Sequence, residues 1–183
     1  MSEVAYCAFL RGVNLNGRTL RMAEVCDAFR AAGLTQVSSV LASGNICFAS
    51  ADDPAALRVR LQETLAGRFG MDVPLVVVSA DDVRRAIANL PWPADAGTQR
   101  YVFFADAGVA DQLWQAWLAV TPVAQEAAAV VDGQFYWRCA KGKTLDSGFS
   151  KTLGDKRFRQ LATSRNANTV ERVAAKLGQS AAN

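Results

Sequence analysis

The stretch Val37-Ser38-Ser39-Val40-Leu41-Ala42-Ser43-Gly44-Asn45-Ile46-Cys47-Phe48-Ala49 decides how the first half of the chain folds. Residues 37–41 and 46–49 have the β-branched and apolar content of two short strands, and Gly44-Asn45 marks a tight turn between them. That is a hairpin. On its N-terminal side Met22, Val25, Cys26 and Phe29 recur at helical spacing, and Gly33 stands where such a helix stops. Earlier still, residues 4–10 (VAYCAFL) are apolar without alternation, the pattern of a central strand covered on one face by helices and on the other by more protein. On the C-terminal side Asp52 and Asp53 precede Pro54 and open a second helix, whose stripe is Leu57, Leu61 and Leu65 and which ends near Phe69-Gly70. Residues 73–78 (VPLVVV) make a fourth strand. The order β-α-β-β-α-β is the split βαβ pattern of a ferredoxin-like α+β sandwich, with its first and third strands adjacent, central and antiparallel.

That pairing sets the end of the first strand beside the start of the third. Within the loop Leu10-Arg11-Gly12-Val13-Asn14-Leu15-Asn16-Gly17-Arg18, residues Arg11 to Asn14 should therefore lie next to Ser43-Gly44-Asn45, together with the N-terminus of the first helix. Glycines let a backbone turn with positive φ and aim successive N–H groups at one spot, and a helix N-terminus favours negative charge. Such a loop suits an anion. It equally suits a polar connection that only leads into the next helix, and both readings stand at this point.

Ser79-Ala80-Asp81-Asp82 has the form of a capping box for a helix through Val83, Ile87 and Leu90, which Pro91-Trp92-Pro93 ends. Beyond it run a strand (100–105), a helix (110–120) and two strands about the Asp132-Gly133 turn, partly repeating the first half. A Gly/Ser/Lys-rich stretch (141–150) and a basic helix-prone segment to Leu161 follow. A last helix, capped at Asn168-Thr169-Val170-Glu171, carries the stripe Val170, Val173, Ala174 and Leu177. The expected organisation is a ferredoxin-like α+β subdomain over 1–79, a helix and Pro-rich connector over 80–98, and a second α+β subdomain with basic C-terminal helices over 99–183.

Composition narrows the function. With 51% hydrophobic residues in 183, the chain can bury a real core. No basic-then-apolar leader opens it and no apolar run nears the roughly 18 residues of a membrane span, so a soluble, cytoplasmic protein without a membrane partner is expected. There is no histidine, which removes Ser-His-Asp and Cys-His catalysis and His-ligated zinc. Cys7, Cys26, Cys47 and Cys139 are scattered without a CxxC and fit buried thiols rather than a metal site. Residues 1–133 hold ten Arg and fourteen acids (−4), whereas 134–183 hold ten Lys or Arg and three acids (+7), summing to the overall +3. A basic C-terminal segment fits phosphates, nucleic acid or an acidic partner, or simply a solvated helical face.

Three motifs together, Leu10-Arg11-Gly12-Val13-Asn14, Ala42-Ser43-Gly44-Asn45-Ile46-Cys47-Phe48 and Ser164-Arg165-Asn166-Ala167-Asn168-Thr169-Val170, resemble the family called domain of unknown function 1697, over nearly the whole chain. The resemblance implies two ferredoxin-like parts and brings no established activity. Arg11, Gly12, Asn14, Ser43, Gly44, Asn45, Arg165, Asn166 and Asn168 fit its motifs. Asn16 stands where the family usually has a second glycine, Ala42 where it has glutamine and Ala167 where it has tryptophan. If that aromatic stacks on a ligand or packs over the site, this chain either lacks the contact or supplies it from elsewhere, as from Trp92 or Trp137.

These nine residues define the expected site, a pocket between the two halves for a small anionic or phosphorylated ligand gripped by arginine forks and asparagine amides. Against it stands a purely structural role, with Asn45 and Asn168 as turn and cap residues. The alternative function is a nucleic-acid-binding module using the basic C-terminal segment, although residues 44–48 offer one aromatic where an RNA-recognition sheet needs several. Tyr6 and Lys151 are conceivable proton donors, but no catalytic residue, metal or cofactor is assigned and whether the chain is an enzyme is left open. Oligomeric state is likewise unassigned.

Overall fold

A computed structural model describes residues 3–15, 18–159 and 161–180. The chain is an α+β protein that divides into two units, residues 1–84 with 171–183, and residues 85–170. Residues 171–180, the greater part of the last helix, group with the first unit.

In the first unit β1 (Val4–Leu10) is followed by the two-residue strands β2 (Asn14–Leu15) and β3 (Arg18–Thr19), then α1 (Met22–Ala31), β4 (Thr35–Ser39), β5 (Asn45–Ser50), α2 (Pro54–Phe69), β6 (Leu75–Ser79) and the start of α3 (Ala80–Ala88). Its sheet has the order β4-β5-β1-β6, antiparallel throughout. The first and third major strands are therefore the central pair, with Phe9 opposite Asn45. Tyr6, Ala8, Leu10, Ile46, Phe48 and Val77 pack with Val25, Phe29, Leu57, Leu61 and Leu65 into one core. Cys7, Phe9, Cys47 and Val76, on the other face, are buried as well, which explains why β1 is apolar without alternation. The Asp53 carboxylate caps α2 by accepting the Ala55 and Ala56 N–H groups at 3.0 and 3.1 Å. Ser79 caps α3 as expected, its Oγ accepting the Asp82 N–H (3.1 Å) and donating to the Asp82 carboxylate (2.7 Å), but α3 stops at Ala88, short of Leu90.

The strand expected at 37–41 lies two residues earlier. Leu41, at φ 60°, has already left the extended region, and Gln36, at φ 51°, makes a bulge between Thr35 and Ser38.

The second unit contains β7 (Thr98–Ala105), α4 (Val109–Leu118), β8 (Ala127–Val131), β9 (Gln134–Ala140), α5 (Ser150–Gly154), α6 (Lys156–Arg159), β10 (Ala162–Asn166) and the first residues of α7 (Ala167–Ser180). Asp132 (φ 48°) and Gly133 (φ 74°) supply the two positive-φ positions of the β8–β9 turn. Its sheet order is β10-β7-β9-β8, again antiparallel. Numbered within each unit, both sheets run fourth-first-third-second. The repetition is thus complete at the level of strand order, because β10, unforeseen in the sequence, supplies the missing edge. Phe103, Phe135, Trp137, Phe149 and Leu113 form the core of this unit.

Candidate functional site

At the end of β1 the backbone is tied on both sides. Leu10 N–H donates to the Gly44 carbonyl (2.7 Å) and Arg11 N–H to the Pro74 carbonyl (2.8 Å). Gly12 then turns at φ 73°, and Leu20 N–H returns to the Val13 carbonyl (2.9 Å), which fixes the start of α1 against the loop. The segment expected as an open loop is in part a ribbon, with Asn14 opposite Thr19 and Leu15 opposite Arg18. Asn16 and Gly17 lie outside the described residues, as does the Asn14 side chain.

Gly44 closes the approach from the other side. It sits at φ 77°, and a Cβ there would come 2.7 Å from Val13 Cγ1 and 3.0 Å from Leu10 Cβ. Only glycine lets β5 begin this close to the loop. Asn45 is 0% exposed, and its Nδ2 donates to the Val40 carbonyl (2.8 Å) and Ser43 Oγ (3.0 Å). Its amide is spent holding the turn shut. Ser43 is exposed and Arg11 half-buried. The N-cap residue of α1, Arg21, makes no side-chain cap bond. The first unit therefore gathers Arg11, Gly12, Ser43, Gly44 and Asn45, as the strand pairing requires.

Arg165, Asn166 and Asn168 belong to the second unit, at the β10–α7 junction. Arg165 stands on a strand opposite Val102, and its Nη1 donates to Thr163 Oγ1 (2.7 Å) and the Ser164 carbonyl (2.9 Å). The cap expected at Asn168 lies two residues further back. Asn166 Oδ1 accepts the Asn168 N–H (3.0 Å), so Asn166 is the cap and Asn168 an exposed residue of the first turn. Tyr101, opposite Asn166, hydrogen-bonds Thr144 Oγ1 (2.8 Å). Burial pushes the Tyr101 hydroxyl above its ordinary pKa, while its bonds to Thr144 and Asn166 pull it back.

Neither aromatic substitute for the family tryptophan is unengaged. Trp137 is buried, with Nε1 donating to Glu126, and the Arg138 guanidinium sits 5.2 Å above the Trp92 ring. Ala167 itself is buried. Of the two conceivable proton donors, Lys151 is exposed, and Tyr6 is buried with its hydroxyl donating to the Asp52 carbonyl (3.1 Å). Burial, then the Asp53 and Asp52 charges, push Tyr6 above its ordinary pKa.

One buried polar group was invisible in the sequence. Glu126, 9% exposed, accepts four N–H groups: Trp137 Nε1 (3.1 Å) and Phe149 N (2.9 Å) at Oε1, Gly148 N (2.9 Å) and Val123 N (3.0 Å) at Oε2. A glutamate before an alanine run gives no local sign of such a role, since its partners are up to 23 residues away.

Two antiparallel four-stranded sheets with helices, and no helix among the described residues long and apolar enough to cross a membrane, define the class: an α+β protein. The chain belongs to the family described as protein of unknown function (DUF1697), whose model matches residues 4–136. It is similar to the conserved bacterial protein SP0830 from Streptococcus pneumoniae, at 25% identity and TM-score 0.79, over 96% of this chain and 99% of that one. An unknown protein from Galdieria sulphuraria aligns over 97% of this chain and 91% of that one, but at 11% identity and TM-score 0.28 it bears on nothing. No curated protein matches the chain.

Proposed function

We propose that the chain binds a small anionic or phosphorylated ligand in its first unit, at the end of β1. The observation that carries this is the convergence of three features on one sheet end. These are the Arg11-Gly12 turn, the start of α1 held to it through Val13, and the Gly44 turn of the β4–β5 connection. Arginine supplies a planar fork for phosphate or carboxylate, the α1 N-terminus supplies N–H groups and a favourable dipole, and Ser43 a hydroxyl. Asn45 shapes the turn rather than touching the ligand, and Asn14 remains a donor on sequence grounds alone. The strand order of both units supports a ferredoxin-like reading of each half.

Thermal unfolding with inorganic phosphate, pyrophosphate and a nucleoside monophosphate tests the proposal. At least one should raise the wild-type Tm in a concentration-dependent way, and Arg11→Ala should abolish the rise, measured from that variant's own ligand-free Tm. No rise with any of the three, or a rise that survives Arg11→Ala, overturns it. A second reading, non-specific binding of nucleic-acid phosphates, draws on exposed Lys141, Lys143, Lys151 and Lys156 of the second unit. It requires oligonucleotide binding that weakens steeply with salt.

A further inference from the structure

Cys7 of β1 and Cys47 of β5 stand directly opposite each other in the antiparallel register. In the same register Leu10 lies opposite Gly44, and the Leu10 N–H bond to the Gly44 carbonyl makes the Leu10–Gly44 pair a hydrogen-bonded one. Because such pairs alternate along an antiparallel ladder, three residues back the Cys7–Cys47 pair is of the other kind, with Cα atoms about 4.5 Å apart and side chains at their closest. A disulfide spans Cα separations of roughly 4.4–6.8 Å. Both cysteines are reduced and buried, at 0% and 1% exposure, on the sheet face opposite the α1–α2 core.

We propose that Cys7 and Cys47 are a two-electron redox site that closes to an intrachain disulfide when hydrogen peroxide reaches it. Burial selects the oxidant, since a peroxide is small enough to enter where a tripeptide disulfide is not. Cys47 is the attacking sulfur. A hydrogen bond from Cys7 holds its thiol below the ordinary value despite burial, and the Lys176 charge acts in the same direction. Cys26 and Cys139 are pushed up by burial. The Cys47 thiolate attacks one peroxide oxygen, the O–O bond breaks, and the departing hydroxide takes up the thiol proton as water, leaving a sulfenic acid. Cys7 sulfur then attacks that sulfur, the S–O bond breaks, and a second water leaves with the Cys7 proton. Two thiols and one peroxide give one disulfide and two waters. The new bond would lock β1 to β5 just behind Arg11 and Ser43.

The test uses the full chain carrying Cys26→Ser and Cys139→Ser, so that Cys7 and Cys47 are its sole thiols. After native treatment with peroxide, alkylation under denaturing conditions should find neither thiol, the intact mass should fall by two hydrogen atoms, and dithiothreitol should restore both thiols. Adding Cys47→Ser should leave Cys7 alkylatable. Peptide mapping of the wild-type chain, in which Cys26 and Cys139 must stay alkylatable, gives the same answer however well the double variant folds. Two alkylatable thiols after peroxide, a sulfinic acid on Cys47 in place of the crosslink, or a crosslink formed only between chains would overturn the proposal.

Discussion

Glu126 carries more of the second unit than any charged residue around it, because it joins three pieces of chain that share no regular ladder. Its carboxylate draws the connection before β8, the turn before α5 and the Trp137 indole together. Gly148 must be a glycine for this to work, since a Cβ there would collide with the Thr121 carbonyl and meet Glu126 Oε2 at 3.0 Å. Leaving a buried donor unpaired costs about 1–3 kcal/mol. Glu126→Ala strands four donors that water reaches in part, so urea unfolding followed by tryptophan fluorescence should show a loss of about 3 kcal/mol or more. Glu126→Gln, which keeps one oxygen acceptor, should fall between that variant and wild type. Tyr136 makes a second, pH-dependent contribution. Its hydroxyl donates to the Ala86 carbonyl (3.0 Å), and burial, with the Asp132 charge adding, pushes its pKa up to about 12 from the ordinary 10.0. Below pH 10 folded and unfolded phenols are both protonated; between about 10 and 12 only the folded one keeps its proton, so unfolding releases it and stability falls as pH rises. Tyr136→Phe should lower Tm at pH 8 and flatten its decline between pH 10 and 12. The flattening is partial, since Tyr6 and Tyr101 are also raised. A decline as steep as wild type would remove Tyr136 from the account.

Elements differ in how openly the sequence declares them. The helices α1 and α2 were legible because their apolar stripes face a single core and their ends carry Gly33 and Asp53 with Pro54. The β1–β5 pairing followed from element order alone, and with it the convergence of Arg11 and Gly44. Strand β10 was not legible, because Ala162-Thr163-Ser164-Arg165-Asn166 is polar and small, without the β-branched alternation of a typical strand. It is an edge strand, held by its ladder to β7 and by the burial of Ala162 and Thr163, one on each face. Missing it moved the cap as well. Without a strand ending at Asn166, the pattern Asn168 to Glu171 looks like the start of a helix, whereas the backbone enters the helix directly from the strand and Asn166 accepts the N–H of Asn168, the second helical residue. The ribbon of β2 and β3 escaped for another reason: strands of two residues are too short to show a period.

At the scale of the whole chain, the spacing of the last helix shows its apolar stripe and not the surface that covers it. Val170, Val173 and Leu177 are buried as the spacing requires, and residues 171–180 group with the first unit, which therefore draws on two distant stretches of the chain. A helix pattern shows that a face must be covered; which surface covers it depends on contacts that no local window contains. Lys176 ties this part of the helix to the first sheet, since its charge is felt at Cys47. The consequence is a selective instability. Truncating a buried leucine costs about 2–5 kcal/mol, so Leu177→Ala should weaken the first unit in particular. The chain carries its own reporters: Cys7, Cys26 and Cys47 lie in the first unit, whereas Cys139 and all four tryptophans lie in the second. In Leu177→Ala, native-state thiol labelling should accelerate strongly at the first three cysteines and little at Cys139, with tryptophan emission unchanged. Equal acceleration at all four would mean that the two units open as one, and that the division of the chain into them has no energetic counterpart.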